Sequence, residues 1–139
     1  MPKLTMGGFE VRVGCDVQSI DDIRAALTTH GDGYLRRVLG EGERAEAARL
    51  TSPELVTRYT SGRFAAKEAV YKALRGRPDV ALAWPQIEII ADERGAPHVR
   101  LSGTAAELAA AAGIDEIAIS ISHADSFAFA VATAVAVST

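Results

Sequence analysis

Apolar and polar residues alternate along residues 10–17: Val11, Val13, Cys15 and Val17 share one face, and Arg12, Gly14 and Asp16 share the other. That is the period of a half-buried strand. It predicts the valine face turned inward, with Cys15 as a small core residue and Asp16 at the strand end facing the opposite way. The pattern then shifts to helical spacing. Ile20, Ile23 and Leu27 form an apolar stripe, Ser19 can cap the helix start, Asp21 and Asp22 fall in its first turn, and Gly31 and Gly33 break it. Shorter helical segments follow over residues 34–39 and 43–50. Ser52 before Pro53 is a cap and first-turn signal that opens the way into residues 61–74. Those residues are rich in Ala, Leu, Lys, Glu and Arg, with no Pro or Gly after Gly62.

The second half changes character. Residues 87–91 and 98–102 read as strands joined by a hairpin connection, and residues 104–112 as a helix capped by Thr104 and ended by Gly113. Ile117, Ile119 and Ile121 alternate along another strand, residues 123–126 turn the chain, and residues 127–137 form a last strand. The sum is an α+β fold in one domain over residues 1–139, with residues 1–9 as a loose lead. Helices from the first half pack on an antiparallel sheet that the first strand joins.

Composition narrows the functional classes. With 139 residues, 48% of them hydrophobic, the chain can bury a core of its own. A formal net charge of −3 gives no reason to expect nucleic acid as a partner. No apolar run reaches membrane-spanning length, and residues 1–9 hold no signal-peptide core. One cysteine cannot form an internal disulfide, so the expected setting is cytoplasmic, with no membrane partner. No Cys or His cluster suggests a zinc site.

Residues 61–74 hold the densest chemistry. Arg63 and Lys67 are four apart and stack on one stripe; Glu68 and Lys72 are four apart and stack on another, about a hundred degrees round the helix. Taken alone this is a solvated helix face. The alternative is a polyphosphate site in which cations hold phosphate oxygens and Glu68 holds a divalent ion. One carboxylate is too few for magnesium, so that alternative requires a second from elsewhere in the chain.

Four segments together resemble the holo-acyl-carrier-protein synthase family of 4′-phosphopantetheinyl transferases: Val13-Gly-Cys-Asp-Val17; Gly62-Arg-Phe-Ala-Ala-Lys-Glu-Ala69 with Lys72; Trp84-Pro-Gln-Ile-Glu-Ile89 with Gly95-Ala-Pro97; and Ile119-Ser-Ile-Ser-His123. The second run is the most specific. The resemblance implies that Asp16 and Glu68 hold Mg²⁺ against the pyrophosphate of coenzyme A, with Lys67 and Lys72 on phosphates and Arg63 on the same substrate side. It implies a homotrimer with the site between subunits. Gly95, Pro97, Ser122 and His123 would then serve the nucleotide end of coenzyme A held mainly by the adjacent chain.

The implied reaction moves the phosphopantetheine arm to a serine of an apo acyl carrier protein and releases adenosine 3′,5′-bisphosphate. The proton acceptor stays open among Glu68, Asp16 and a metal-bound water. The carrier could belong to fatty-acid, polyketide or peptide synthesis. The other reading is a catalytically inactive coenzyme A or nucleotide-binding module with a regulatory or assembly role. Three positions depart from the family pattern: Arg75-Gly76-Arg77 stands where Gly-Thr-Gly is usual, Gln86 replaces an Asp, and Asp22 occupies a place usually basic.

Overall fold

The computed structural model describes residues 4–76 and 79–137. Strands β1 (Leu4–Met6) and β2 (Phe9–Ser19) are followed by helices α1 (Ile20–His30), α2 (Asp32–Val38), α3 (Glu41–Ala48) and α4 (Pro53–Leu74). A 3₁₀ turn (Trp84–Gln86), β3 (Ile87–Ala91), β4 (Pro97–Leu101), α5 (Gly103–Ala111), β5 (Ile117–Ala124) and β6 (Phe127–Val137) complete the chain. The class is α+β, as the patterns predict. The strands form two antiparallel sheets, one of order β1-β2-β6-β5 and the hairpin β3-β4. Strand β2 pairs with β6 along its whole length, from Phe9 opposite Val137 to Ser19 opposite Phe127. The lead is not loose throughout, since Leu4–Met6 pairs with residues 9–11; residues 1–3 lie outside the described region.

The predicted helix signals at Ser19 and Ser52 operate: Ser19 Oγ accepts the Asp22 N–H and Ser52 Oγ the Leu55 N–H, each at 3.2 Å, with Pro53 in the first turn of α4. Thr104 is not a cap. Helix α5 starts one residue earlier, after Ser102, because the amide oxygen of Gln86 takes the Ala105 N–H at 3.3 Å.

The largest correction concerns the first strand. Its valine face points outward: Val13 is 60% exposed and Cys15 is exposed, whereas Glu10 and Gly14 are buried. The physical reason is thickness. Helix α4 lies on the inner face through Ala65, Ala66, Ala69 and Ala73, and β6 meets it with Ala128, Ala130, Ala132, Ala134 and Ala136. A Cβ on Gly14 would stand 2.0 Å from the Ala69 carbonyl oxygen and 2.9 Å from the Ala73 nitrogen. Branched side chains cannot enter so thin a layer, so they occupy the outer face of β2 and β6. On β5 the prediction holds, and Ile117, Ile119 and Ile121 pack inward.

A second core joins Val38, Leu39 and Ala47 to Tyr34, Leu35, Tyr59 and Phe64. Between the two cores lies a wholly buried ion pair. Lys67 Nζ meets Glu43 Oε1 at 2.5 Å and donates to the carbonyls of Trp84 and Ile87. Glu43 also accepts the N–H groups of Gly40 and Ile89, each at 2.9 Å. Burial pushes the Glu43 carboxyl up and the Lys67 ammonium down, and each partner opposes the other's shift. Every polar atom of the pair is satisfied, which is what makes a buried pair tolerable. Replacing Lys67 with Met leaves the Glu43 charge buried and unpaired. We expect Lys67→Met to lose about 3–5 kcal/mol of unfolding free energy in urea titrations, and Lys67→Met combined with Glu43→Leu to recover much of it.

Candidate active site

Gly14 sets the site. Because it lets α4 lie directly on β2, the next inward residue of the strand, Asp16, meets the helix stripe that carries Glu68 and Lys72. Lys72 Nζ donates to the Cys15 carbonyl at 2.8 Å and stands 3.3 Å from Asp16 Oδ1. The other oxygen, Asp16 Oδ2, accepts from Gln18 Nε2 at 2.7 Å. Gln18 is one strand period further along the same face, so it orients the carboxylate.

Glu68 is half-buried, and among the described residues no protein donor bonds its carboxylate. Burial, first, and the charge of Asp16, second, push its pKa above the ordinary glutamate value, with Lys72 opposing. Two carboxylates that repel each other beside one ammonium favour a further positive charge. Among the described residues no group of three or more His, Cys, Asp or Glu could hold a metal ion alone. A pair of carboxylates that leaves the remaining positions to water and ligand phosphate is the donor set magnesium accepts. Asp16 and Glu68 therefore fit the expected ion, and Lys72 lies where an added phosphate would meet it.

The other expected cations face elsewhere. Lys67 cannot reach this cluster, because its ammonium is enclosed with Glu43 and two carbonyls. Arg63 is likewise committed: its Nε donates to the Ile89 carbonyl at 2.9 Å, Nη2 is 3.4 Å from Glu46 Oε1, and its guanidinium covers the Tyr59 ring at 4.4 Å. The two stripes of α4 thus divide the work. Arg63 and Lys67 fasten α3 and β3 to the helix, and Glu68 and Lys72 face Asp16. Neither Arg63 nor Lys67 is free to hold phosphate in this chain.

His123 and Ser122 also part. His123 lies on the inward face of β5, where Nε2 bonds the Arg58 carbonyl at 3.1 Å and packs on Gly62. A carbonyl only accepts, so Nε2 carries the proton and Nδ1 is left for another partner. Ser122 lies on the exposed outer face, paired in register with Phe129. Asp16 and Ile121 both pair with Ala130, so two strand spacings, about 10 Å, separate β2 from β5 at that level. Gly95 sits in the β3–β4 turn with φ 84°, and Pro97 opens β4. Pro97 lines a cleft of about 640 Å³ with Leu101, Ile117 and Ile119, and neither Asp16 nor Glu68 lines it. A single chain does not gather Gly95, Pro97, Ser122 and His123 around the carboxylates.

Sequence reasoning quoted Gly14 beside Asp16 without seeing its packing role, and it missed Gln18, Glu43 and Glu46. Gln18 was findable, since it shares a face with Asp16. Glu43 and Glu46 bond across α3 to β3, at sequence separations of 46 and 45, which no local pattern reports. Trp84 packs as expected, edge-on to Phe64 and Tyr71 at 5.4 and 5.9 Å. Arg77 lies outside the described residues.

Comparison with known proteins identifies the family. Residues 12–132 match the family model described as the 4′-phosphopantetheinyl transferase superfamily. The chain is 38% identical over 125 residues to a protein from Chloroflexus aurantiacus named holo-(acyl-carrier-protein) synthase, covering 83% of this chain and 90% of that one. The crystal structure of a holo-ACP synthase from Plasmodium yoelii superposes with a TM-score of 0.81 at 32% identity, covering 93% of this chain and 98% of that one. A holo-(acyl-carrier-protein) synthase from Bacillus anthracis, solved in complex with CoA (3′,5′-ADP), gives 0.72 at 30% identity, covering 90% and 96%. With a family model matched over residues 12–132 and a relative 38% identical over most of both chains, the chain belongs to the holo-acyl-carrier-protein synthase family of 4′-phosphopantetheinyl transferases, a family of enzymes.

Proposed function

We propose that this chain transfers the 4′-phosphopantetheine arm of coenzyme A to a serine of an apo acyl carrier protein, with Mg²⁺ as cofactor and adenosine 3′,5′-bisphosphate as the leaving product. The convergence of Asp16, Glu68 and Lys72 carries the reading. In the reaction the serine Oγ bonds to the β-phosphorus of coenzyme A, the bond from that phosphorus to the bridging oxygen breaks, and the serine proton leaves to a base. Mg²⁺ held by Asp16 and Glu68 would neutralise the pyrophosphate oxygens. Lys72, positioned by the Cys15 carbonyl, adds a cation beside them. Burial and Asp16 raise the Glu68 pKa in the metal-free chain, and a cation held by Glu68 would oppose that shift, so the serine base stays open between Glu68, Asp16 and water. Gln18 keeps Asp16 turned toward the helix.

The outer sheet face supports an assembly, which we propose is a homotrimer. Eight large hydrophobic side chains on β2 and β6 are exposed in one chain, among them Val17, Phe127, Phe129 and Val131. A monomer rarely leaves so continuous an apolar face in water. Ser122 shares this face, and Gly95, Pro97 and His123 lie apart from the carboxylates. A neighbouring copy could therefore complete the nucleotide end of the site.

Helix α1 offers an acidic carrier little attraction, because Arg24 is held by Asp21 at 2.5 Å and by Glu54 at 2.9 Å. Exposed Arg36 and Arg37 on α2 remain. No helix among the described residues is long and apolar enough to cross a membrane.

Incubation of an apo carrier with coenzyme A and Mg²⁺ should add a phosphopantetheine mass to its serine; binding without a mass increment would instead support the inactive module. Asp16→Asn and Glu68→Gln should each lower turnover about 100-fold or more at unchanged thermal stability. Magnesium affinity, read by calorimetry, should fall on acidification from above the ordinary glutamate range, since a proton competes for Glu68. Near-normal turnover in both variants at limiting Mg²⁺ would refute the assignment. Light scattering should give a trimer mass for the wild type and a smaller species for Val131→Asp. Mixed His123→Ala and Glu68→Gln chains should regain activity if the site is shared. Asp22→Arg should lower the Michaelis constant for an acidic carrier and make it more salt-sensitive, leaving that for coenzyme A unchanged; no effect would place Asp22 outside the docking surface.

A further inference from the structure

Helix α4 ends on an arginine in a backbone conformation that glycine normally supplies. Arg75 has φ 55° and ψ 54°. Its N–H bonds the Lys72 carbonyl at 3.1 Å, and the Gly76 N–H bonds the Tyr71 carbonyl at 3.3 Å. These paired bonds are a Schellman closure, whose left-handed residue is usually Gly because an L side chain crowds the backbone there. Gly76 is needed for another reason: a Cβ would lie 2.1 Å from the Tyr71 ring.

What the unusual arginine gains is Glu10. Glu10 is buried on the inward face of β2. Its Oε1 takes Arg75 Nη1 at 2.9 Å and Arg12 Nε at 2.8 Å. Arg12 Nη1 also reaches the Leu74 carbonyl at 3.5 Å. One buried carboxylate on the strand thus grips the end of the helix through two guanidiniums.

The grip lies next to the site. Arg75 is three residues beyond Lys72, and Glu10 shares the inward face with Gly14 and Asp16. The Gly14–Ala69–Ala73 contact sets how closely the helix approaches the strand, and it is a non-directional contact that does not by itself fix the helix along the strand. A charged tie at the helix end opposes sliding along the strand. We propose that Arg75, held by Glu10, is a positioning residue. It sets the seat of the last turn of α4 on β2, and through it the placement of Glu68 and Lys72 against Asp16. This rests on the reading of those three residues as the active site.

Arg75→Gly is the informative substitution. Glycine accepts φ 55° without strain, so the helix end is kept, and Arg12 keeps Glu10 paired; only the tie from Arg75 is lost. Three measurements on the full chain decide the matter: the thermal midpoint, the NMR signal and exchange protection of the Lys72 ammonium without metal or coenzyme A, and the kinetics of transfer. We expect Arg75→Gly to keep the wild-type midpoint, to lose protection at Lys72, and to lower kcat about tenfold or more with the Michaelis constant for the carrier unchanged. Arg75→Lys, which can still reach Glu10, should recover most of both losses. A wild-type Lys72 signal in Arg75→Gly overturns the proposal. So does a loss of kcat that follows a fallen midpoint and is not recovered by Arg75→Lys. If wild-type protein transfers nothing, the proposed reaction fails, while the Lys72 signal still decides the role of Arg75.

Discussion

The structure depends on how closely α4 approaches the sheet. The layer between them is built from one glycine on β2 and rows of alanine on β6 and α4. Apolar side chains larger than a methyl group are turned out of it on both long strands. Burial here comes from many short contacts at high packing density and not from a few large side chains. The polar inward residues of β2 stand beside the helix, where their heads meet those of α4: Glu10 with Arg75, and Asp16 with Lys72. A thicker layer would hold these heads apart. The thin core and the carboxylate pair therefore share one cause.

The same helix carries two sets of charges with opposite fates. Lys67 is surrounded by α3, the 3₁₀ turn and β3 and pairs with Glu43. Removing water from that pair disfavours both charges, so its attraction works against a large desolvation term. What it supplies is specificity: the ammonium and carboxylate between them bond Gly40, Trp84, Ile87 and Ile89, which joins three segments distant in sequence. Lys72, on the neighbouring stripe, keeps half its side chain in solvent and retains capacity for a ligand. Position around the helix, a matter of one residue, separates a lysine enclosed with Glu43 from one half in solvent beside Asp16.

Periodicity and punctuation in the sequence determined the elements. Ser19, Ser52 and Pro53 mark helix starts because their chemistry satisfies orphan N–H groups locally. The alternation in residues 117–121 and 127–137 marks strands because successive side chains leave opposite faces. The spacing of Glu68 and Lys72, and the four segments resembling a known family, grouped Asp16, Glu68 and Lys72 before any coordinates, and folding brings the three together.

Which way a face turns was decided only in three dimensions. Val11, Val13, Cys15 and Val17 read as a core stripe because hydrophobicity alone ranks them above Arg12, Gly14 and Asp16. The fold chose the other face, since α4 brings Ala65, Ala66, Ala69 and Ala73 to the sheet and needed Gly14 to approach. The destinations of Lys67, Arg63 and Arg24 were equally hidden. Each depends on a carboxylate or carbonyl brought near by folding, as with Glu43 24 residues from Lys67 and Glu54 30 residues from Arg24. Local pattern reports the period of a side chain. The partner that meets it is set by which surfaces can close to contact distance, and that is a property of the packed molecule.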